Sequence, residues 1–426
     1  MNIHMKNILK EKYKISDTVI DYLHLAEKDT QEEFKYYDEI KEFNQAKVLA
    51  AFQEERISDT HFTNSSGYGY GDIGRDTLDE VYANIFNCEA ALVRPHFVSG
   101  THAIGVALLG NLRPGDTMLT ITGEPYDTLH SIIGISGNQD IGSLKDYGIG
   151  YEQIDLINGY FDYERIEKVL KENTSIKLVH IQKSAGYGWR KSLDISSIEK
   201  VIAFIKNIKE DLICFVDNCY GEFVEIKEPT EVGADLVCGS LIKNIGGGIA
   251  PTGGYVVGKK KYVEQASFRL TVPGLGGECG ATLGVVRSFY QGLFLASHIT
   301  MEAVKGAVLC SRVMELAGFE VLPKYTDRRT DIIQAIKFND KEKLINFCKG
   351  IQKGSPIDSF VECEPWEMPG YSDQVIMAAG AFIQGSSIEL SADAPIRPPY
   401  IAYLQGGLTL EHVKIGLSIA LNNILR

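Results

Sequence analysis

Between Asp235 and Lys259 only one side chain carries a charge. It is Lys243, in the run Cys238-Gly239-Ser240-Leu241-Ile242-Lys243-Asn244-Ile245-Gly246-Gly247-Gly248. An ammonium is costly to bury among apolar residues and glycine. Burial lowers a lysine's pKa, and a neutral amine is the nucleophile that Schiff-base chemistry needs. A lysine here can equally lay its stem along apolar surface and put its head in water. Asp217 ends a second apolar run, Leu212-Ile213-Cys214-Phe215-Val216-Asp217-Asn218-Cys219-Tyr220-Gly221. A carboxylate at a strand end can hold a protonated ring nitrogen through a charge-assisted hydrogen bond, or simply cap the next helix. A third feature is Phe97-Val98-Ser99-Gly100-Thr101-His102-Ala103. A small hydroxylated turn that opens a helix exposes N–H groups to a phosphate, though many helices begin this way only as a cap. Ser240, three residues before Lys243, is close enough in sequence for its hydroxyl to reach the same phosphate.

Those residues need a frame. From residue 90 to about 260 short apolar runs alternate with helix-like stretches. The runs are 91–93, 117–121, 151–154, 178–181, 213–216, 236–238 and 255–257, and the helices 100–110, 126–134, 162–172 and 194–208. This alternation predicts an α/β fold, a mostly parallel seven-stranded sheet with helices on both faces. Chemistry in such sheets gathers at the carboxyl ends of the strands, where Asp217 falls. Residues 6–56 read as amphipathic helix, 276–318 as one long apolar helix, 332–338 and 388–390 as strands, and the chain from Glu411 as a last helix. The expected division is an N-terminal helical segment (1–65), a large domain (66–300) and a smaller C-terminal α+β domain (301–426).

A phosphate turn, an acid at a strand end and a lysine 26 residues further on, in that order, resemble the fold-type-I pyridoxal-5′-phosphate enzymes. The closer likeness is to the cystathionine/methionine lyase branch, in its methionine γ-lyase-like group often labelled aluminium-resistance proteins. It extends over nearly the whole chain and is most specific from Val216 to Phe223 and from Gly239 to Gly248. The resemblance implies pyridoxal 5′-phosphate as cofactor, with Lys243 forming the Schiff base and then acting as the base at Cα. Asp217 would pair with the pyridine nitrogen, and Ser99, Gly100, Thr101 and Ser240 would hold the phosphate. Tyr126, after Gly123-Glu124-Pro125, matches the aromatic that stacks on the ring. Gln182 or Ser184 would stand where similar enzymes have an Asn-Pro element contacting the ring hydroxyl. Lys183 beside them is a rival Schiff-base lysine, but it precedes Asp217. Tyr68 and Tyr70, with Arg75, correspond to a Tyr-x-Arg loop that crosses to a neighbouring subunit, although the spacing differs. Arg397, flanked by Pro395, Pro398 and Pro399, is the candidate for a substrate α-carboxylate.

The implied reaction eliminates a thiol at Cβ or Cγ of a sulfur amino acid, leaving keto acid and ammonia. An aminotransferase and a non-catalytic cofactor-binding protein share these residues. Ser240-x-x-Lys243 also fits a serine acyl-enzyme, but the accompanying Lys-Thr-Gly is absent. Gly253 to Lys259 fits a P-loop except that Lys260 replaces Ser or Thr. With 426 residues, 44% hydrophobic and 23% charged, the composition is that of a globular chain. A net charge of −13 argues against nucleic acid and anionic membranes as partners. No uncharged stretch reads as a membrane helix, since the longest, Pro95–Leu112, is broken by glycine and histidine. The eight cysteines are scattered without a C-x-x-C pair, and the N-terminus lacks a signal-like core, so a reduced cytoplasmic protein is expected. The crossing loop implies a homodimer or homotetramer with a shared active site and an amino acid as the small-molecule partner.

Overall fold

The computed structural model describes residues 1–137, 140–368, 371 and 373–425. Three helices come first: α1 (Ile3–Glu11), α2 (Asp17–Asp29) and α3 (Gln31–Glu54). After α4 (Ile73–Ile85) the alternation is β1 (Ala90–Arg94), α5 (Gly100–Asn111), β2 (Thr117–Thr120), α6 (Asp127–Ile133), β3 (Gly150–Gln153), α7 (Tyr163–Glu172), β4 (Ile176–Gln182), α8 (Ile195–Ile208), β5 (Ile213–Asp217), β6 (Leu236–Ser240), β7 (Gly254–Gly258) and α9 (Lys260–Leu270). The strands form one sheet in the order β1-β7-β6-β5-β4-β2-β3. Neighbours from β6 to β3 run parallel, and β7 is antiparallel to both β6 and β1. Every residue of β5, β6 and β7 is buried, which is why these strands read as continuous apolar runs.

The remaining elements are α10 (Val286–Leu316), β8 (Glu320–Leu322), β9 (Gln334–Lys337), α11 (Lys341–Lys353), β10 (Val375–Ala378), β11 (Ser391–Pro395), β12 (Ile401–Gln405) and α12 (Leu410–Ile424). Strands β10-β11-β12-β9-β8 make a second, wholly antiparallel sheet backed by α11 and α12. Two expectations for this half need correction. The long helix begins at Val286 and not at 276, because Gly274, Gly276, Gly280 and Gly284 all take positive φ and keep that stretch out of helix. Residues 388–390 form turns and bends, and the strand starts at Ser391.

Helix α10 runs unbroken past residue 300. Phe289, Tyr290 and Leu293 lie in the core under the seven-stranded sheet, and Leu309, Val313 and Met314 in the core of the five-stranded one. By length and composition it is the one described helix long and apolar enough to cross a bilayer, though it carries charges such as Arg287, Glu302 and Lys305. Of its apolar window, 72% is buried inside the protein. The N-terminal helices have no core of their own: Leu9, Val19 and Leu23 join the second sheet's core, while Val48 and Ala51 join the first.

Candidate active site

Parallel register sets three strand ends side by side. Gln182 at the end of β4 pairs with Asp217 at the end of β5, and Asp217 with Cys238, two residues before β6 ends at Ser240. Helix α5 starts facing them. Ser99 caps it by accepting the N–H of His102 at 3.0 Å. At Gly100 a Cβ would meet Cys219 Sγ and Ser240 Cβ, each at 3.2 Å, so glycine lets the helix N-terminus close on the strand ends. Ser240 is 1% exposed, and among the described residues its Oγ has no hydrogen-bond partner. A buried hydroxyl left unpaired is rare, and this one lies beside the free N–H groups of a helix start. That combination fits a phosphate, the anchoring group of pyridoxal phosphate.

Lys243, Asp217, Thr101, Tyr126, Gln182 and Ser184 line one cavity. Lys243 lies over the ring of Tyr220, its Nζ 3.9 Å from the ring centroid. The loop that carries it is tied down from two sides. Asn244 Nδ2 donates to the carbonyls of Tyr220 (2.9 Å) and Glu222 (3.2 Å). Gly247, at φ +56°, packs so tightly on α10 that a Cβ would stand 2.3 Å from the Gly292 carbonyl oxygen. Tyr220 itself takes φ +74° and Phe223 +62°, two strained non-glycine residues in the turn after Asp217.

One electrostatic expectation is overturned. Burial pushes the Lys243 pKa down, but Cys219, Tyr220 and Asp217 push it up harder, and the ammonium is held charged above its usual range. The sequence argument counted desolvation and missed the π face and carboxylate that stabilise the cation.

Gln182 is fixed between two contacts. Its Oε1 accepts the N–H of Tyr126 at 2.7 Å and its Nε2 donates to the Ser184 carbonyl at 3.0 Å. Ser184 Oγ in turn donates to Asp331 at 3.0 Å. The Tyr126 hydroxyl meets that of Tyr371 at 2.7 Å, and its ring lies 5.6 Å from that of Tyr187. Arg397 lies on an adjoining cleft that shares Tyr126, Gln182 and Gly186, its guanidinium 2.9 Å from Asp373.

Tyr68 and Tyr70 are not brought to this cavity. They stack on each other at 5.4 Å and stand 67% and 60% exposed. Arg75 is buried and organises their loop, donating to the carbonyls of Gly69 (2.8 Å), Gly280 (3.0 Å) and Glu278 (3.3 Å). Lys183 is fully buried, with Nζ 2.9 Å from Glu225, so its charge is used in a structural pair and not in the cavity. Sequence reasoning missed Tyr220, Tyr187, Tyr371 and Asp393. Tyr220, three residues after the strand-end acid, carried the clearest signal.

Comparison with known proteins follows this geometry. A solved carbon–sulfur lyase involved in aluminium resistance, from Clostridium novyi NT, is 68% identical, covers 100% of both chains and superposes with a TM-score of 0.96. The protein YnbB of Bacillus subtilis is 54% identical over 92% of this chain and 93% of its own. At 15% identity, the pyridoxal-5′-phosphate-dependent protein YhfS of Escherichia coli shares the fold alone, with a TM-score of 0.62 over 90% of this chain and 97% of its own. The family model described as methionine gamma-lyase matches residues 19–425, and the chain belongs to that family.

Proposed function

We propose that this chain breaks a C–S bond at Cβ or Cγ of a sulfur-containing amino acid and, with one water, releases a thiol, a keto acid and ammonia. Family membership gives the class: the chain is a pyridoxal-phosphate-dependent carbon–sulfur lyase. The observation that carries the residue assignment is that Lys243 and Asp217 line one cavity together with Thr101 of the α5 N-terminus, the helix start against which the buried Ser240 packs. When bound, the cofactor's protonated ring supplies a sink for the electron pair left at Cα.

The chain's own groups do the rest. Asp217 holds a proton on the ring nitrogen, its Oδ1 aimed by the Cys219 N–H at 3.1 Å. The N-terminus of α5, through Ser99, Gly100 and Thr101, and Ser240 Oγ hold the phosphate. Gln182 would contact the ring edge. Lys243 would hold the cofactor through its Nζ and, with an amino acid bound, would take the Cα proton. Tyr126 would cover the ring face. Burial, with Tyr187, Tyr220 and Tyr371 beside it, keeps its hydroxyl protonated, so Tyr126 faces the departing sulfur as a neutral proton donor. Arg397 exchanges Asp373 for the substrate α-carboxylate. In this reading residues 66–300 bind the cofactor and 301–426 close over the substrate, with 1–65 strapped across both.

We place Tyr68 and Tyr70 at the cavity of a second copy. Their exposure, and that of Val98 (77%) beside the phosphate turn, supports a shared site. Eight free cysteines support a reducing cytoplasm. The test has three parts. Purified protein absorbs in the visible, and borohydride fixes the cofactor on Lys243. A panel of sulfur amino acids yields keto acid and thiol in equal amounts. Mixing Lys243→Ala with Tyr68→Phe subunits restores up to about a quarter of the activity, since only mixed dimers hold an intact site. Amino transfer to a keto acid without thiol release, or turnover by Lys243→Ala, refutes the reading.

A further inference from the structure

On β11 the side chains alternate. Ala392 and Ala394 enter the core against α11 and α12, so Asp393 points to the opposite face. Its cross-strand partner is Tyr403, whose ring lies 5.1 Å from that of Tyr187. That face looks across to the cofactor cavity, because Tyr403 and Ile401 pack with Tyr187 and Tyr220. Gln405 donates to Asp393 Oδ2 at 2.8 Å and fixes the carboxylate. Among the described residues only one cation acts on it, Lys243. Burial raises the Asp393 pKa to about 6, and its charge is felt by Tyr126, Tyr187, Tyr220 and Tyr371. Tyr126 and Tyr220 line the Lys243 cavity, and Tyr187 the adjoining cleft. The result is a carboxylate paired across the strand with Tyr403, at the edge of a ring cluster in which Tyr187 meets Tyr403, Tyr126 and Tyr371.

A carboxylate framed by aromatic rings recognises an ammonium, by charge and by the negative faces of the rings. In a bound amino acid the α-nitrogen is taken up by the cofactor, and the α-carboxylate is repelled by an acid. Only the arm beyond sulfur remains. We propose that Asp393, with Tyr126, Tyr187, Tyr220 and Tyr371, forms a subsite for an ammonium carried on the leaving thiol, so that the preferred substrates are amino-acid thioethers with a cationic leaving arm. This rests on the lyase reading above. A neutral arm leaves Asp393 without a cation once Lys243 is engaged, and rejection of that state gives the selectivity.

The test compares S-(2-aminoethyl)-L-cysteine with S-propyl-L-cysteine, equal in length and different in charge. Wild type favours the cationic arm at least about tenfold in kcat/KM, and Asp393→Asn, which keeps a partner for Gln405, brings the ratio between the two thioethers to about one. Binding is read separately on borohydride-reduced protein, where the cofactor is locked on Lys243 and cannot condense. There calorimetry finds 3-(2-aminoethylthio)propanoate at least about tenfold tighter than 3-(propylthio)propanoate, and finds them equal in Asp393→Asn. Equal use of both arms by wild type, or a preference that survives in the variant, overturns the subsite. If neither thioether is cleaved, the lyase reading fails on its own, and the binding preference still decides the subsite.

Discussion

Ser240→Ala is expected to move two quantities in opposite directions. Ser240 Oγ is buried without a hydrogen-bond partner among the described residues. Removing an unpaired buried hydroxyl relieves a desolvation penalty of about 1–3 kcal/mol, so the cofactor-free variant should be more stable by that order. Alanine keeps the Ser240 Cβ that packs toward Gly100, the atom an added Gly100 Cβ would meet at 3.2 Å, so the shape of the cradle is preserved. In the loaded protein the same hydroxyl bonds a phosphate. A hydrogen bond to a charged group contributes about 1.5–3 kcal/mol, so the variant should bind pyridoxal phosphate about 10- to 150-fold more weakly. Urea unfolding of cofactor-free protein reads the first quantity, and a visible-absorbance titration reads the second. A variant that is less stable without cofactor, or that binds it with unchanged affinity, refutes the assignment of Ser240.

Three further outcomes follow from the surrounding structure. Glu222 is fully buried, accepts the Tyr255 hydroxyl at 2.8 Å, and has its pKa raised to about 8, mainly by burial. The folded state therefore holds a proton that the unfolded chain loses from pH 4.5 upward, so stability falls as pH rises through the 4.5–8 window. Glu222→Gln removes that slope. The stability difference between variant and wild type should grow by about 2–3 kcal/mol from pH 6 to pH 8, and parallel curves would falsify the assignment. Lys183→Met leaves Glu225 without its partner at 2.9 Å, and denaturant unfolding should show a loss of about 3–5 kcal/mol. Gly247→Ala drives a Cβ toward the Gly292 carbonyl at 2.3 Å and should displace the lysine loop. Borohydride labelling of Lys243 should then slow sharply while circular dichroism stays unchanged.

The seven-stranded sheet was legible because most of its strands, β2 and β4 to β7, are buried on both faces. Runs such as Ile213–Val216 stand out against the helical stretches between them, and each matches a strand. The five-stranded sheet was mostly hidden. Strands β8, β10 and β12 are three to five residues long and mix Glu, Met, Tyr and Gln, so no periodicity marks them. At the site, Lys243 and Asp217 could be found because each is a lone charge in an apolar run. Tyr220 and Asp393 could not be placed with them, since their roles depend on a strained turn and on the face of a distant strand. The same limit explains the misjudged charge of Lys243. Sequence reveals what surrounds a side chain along the backbone, but the tyrosine ring beneath it arrives through the fold.

Helix α10 has a mechanical consequence. It is a single rod embedded at one end beneath the cofactor sheet and at the other in the core of the sheet that carries Asp393. At the end beneath the cofactor sheet Gly292 presses on the loop of Lys243. Neither half can melt without exposing its share of that rod, so the two sheets should lose amide-exchange protection together. A tilt of the substrate-side half would act like a lever on the Schiff-base loop, linking how far the cleft shuts to where the amine points.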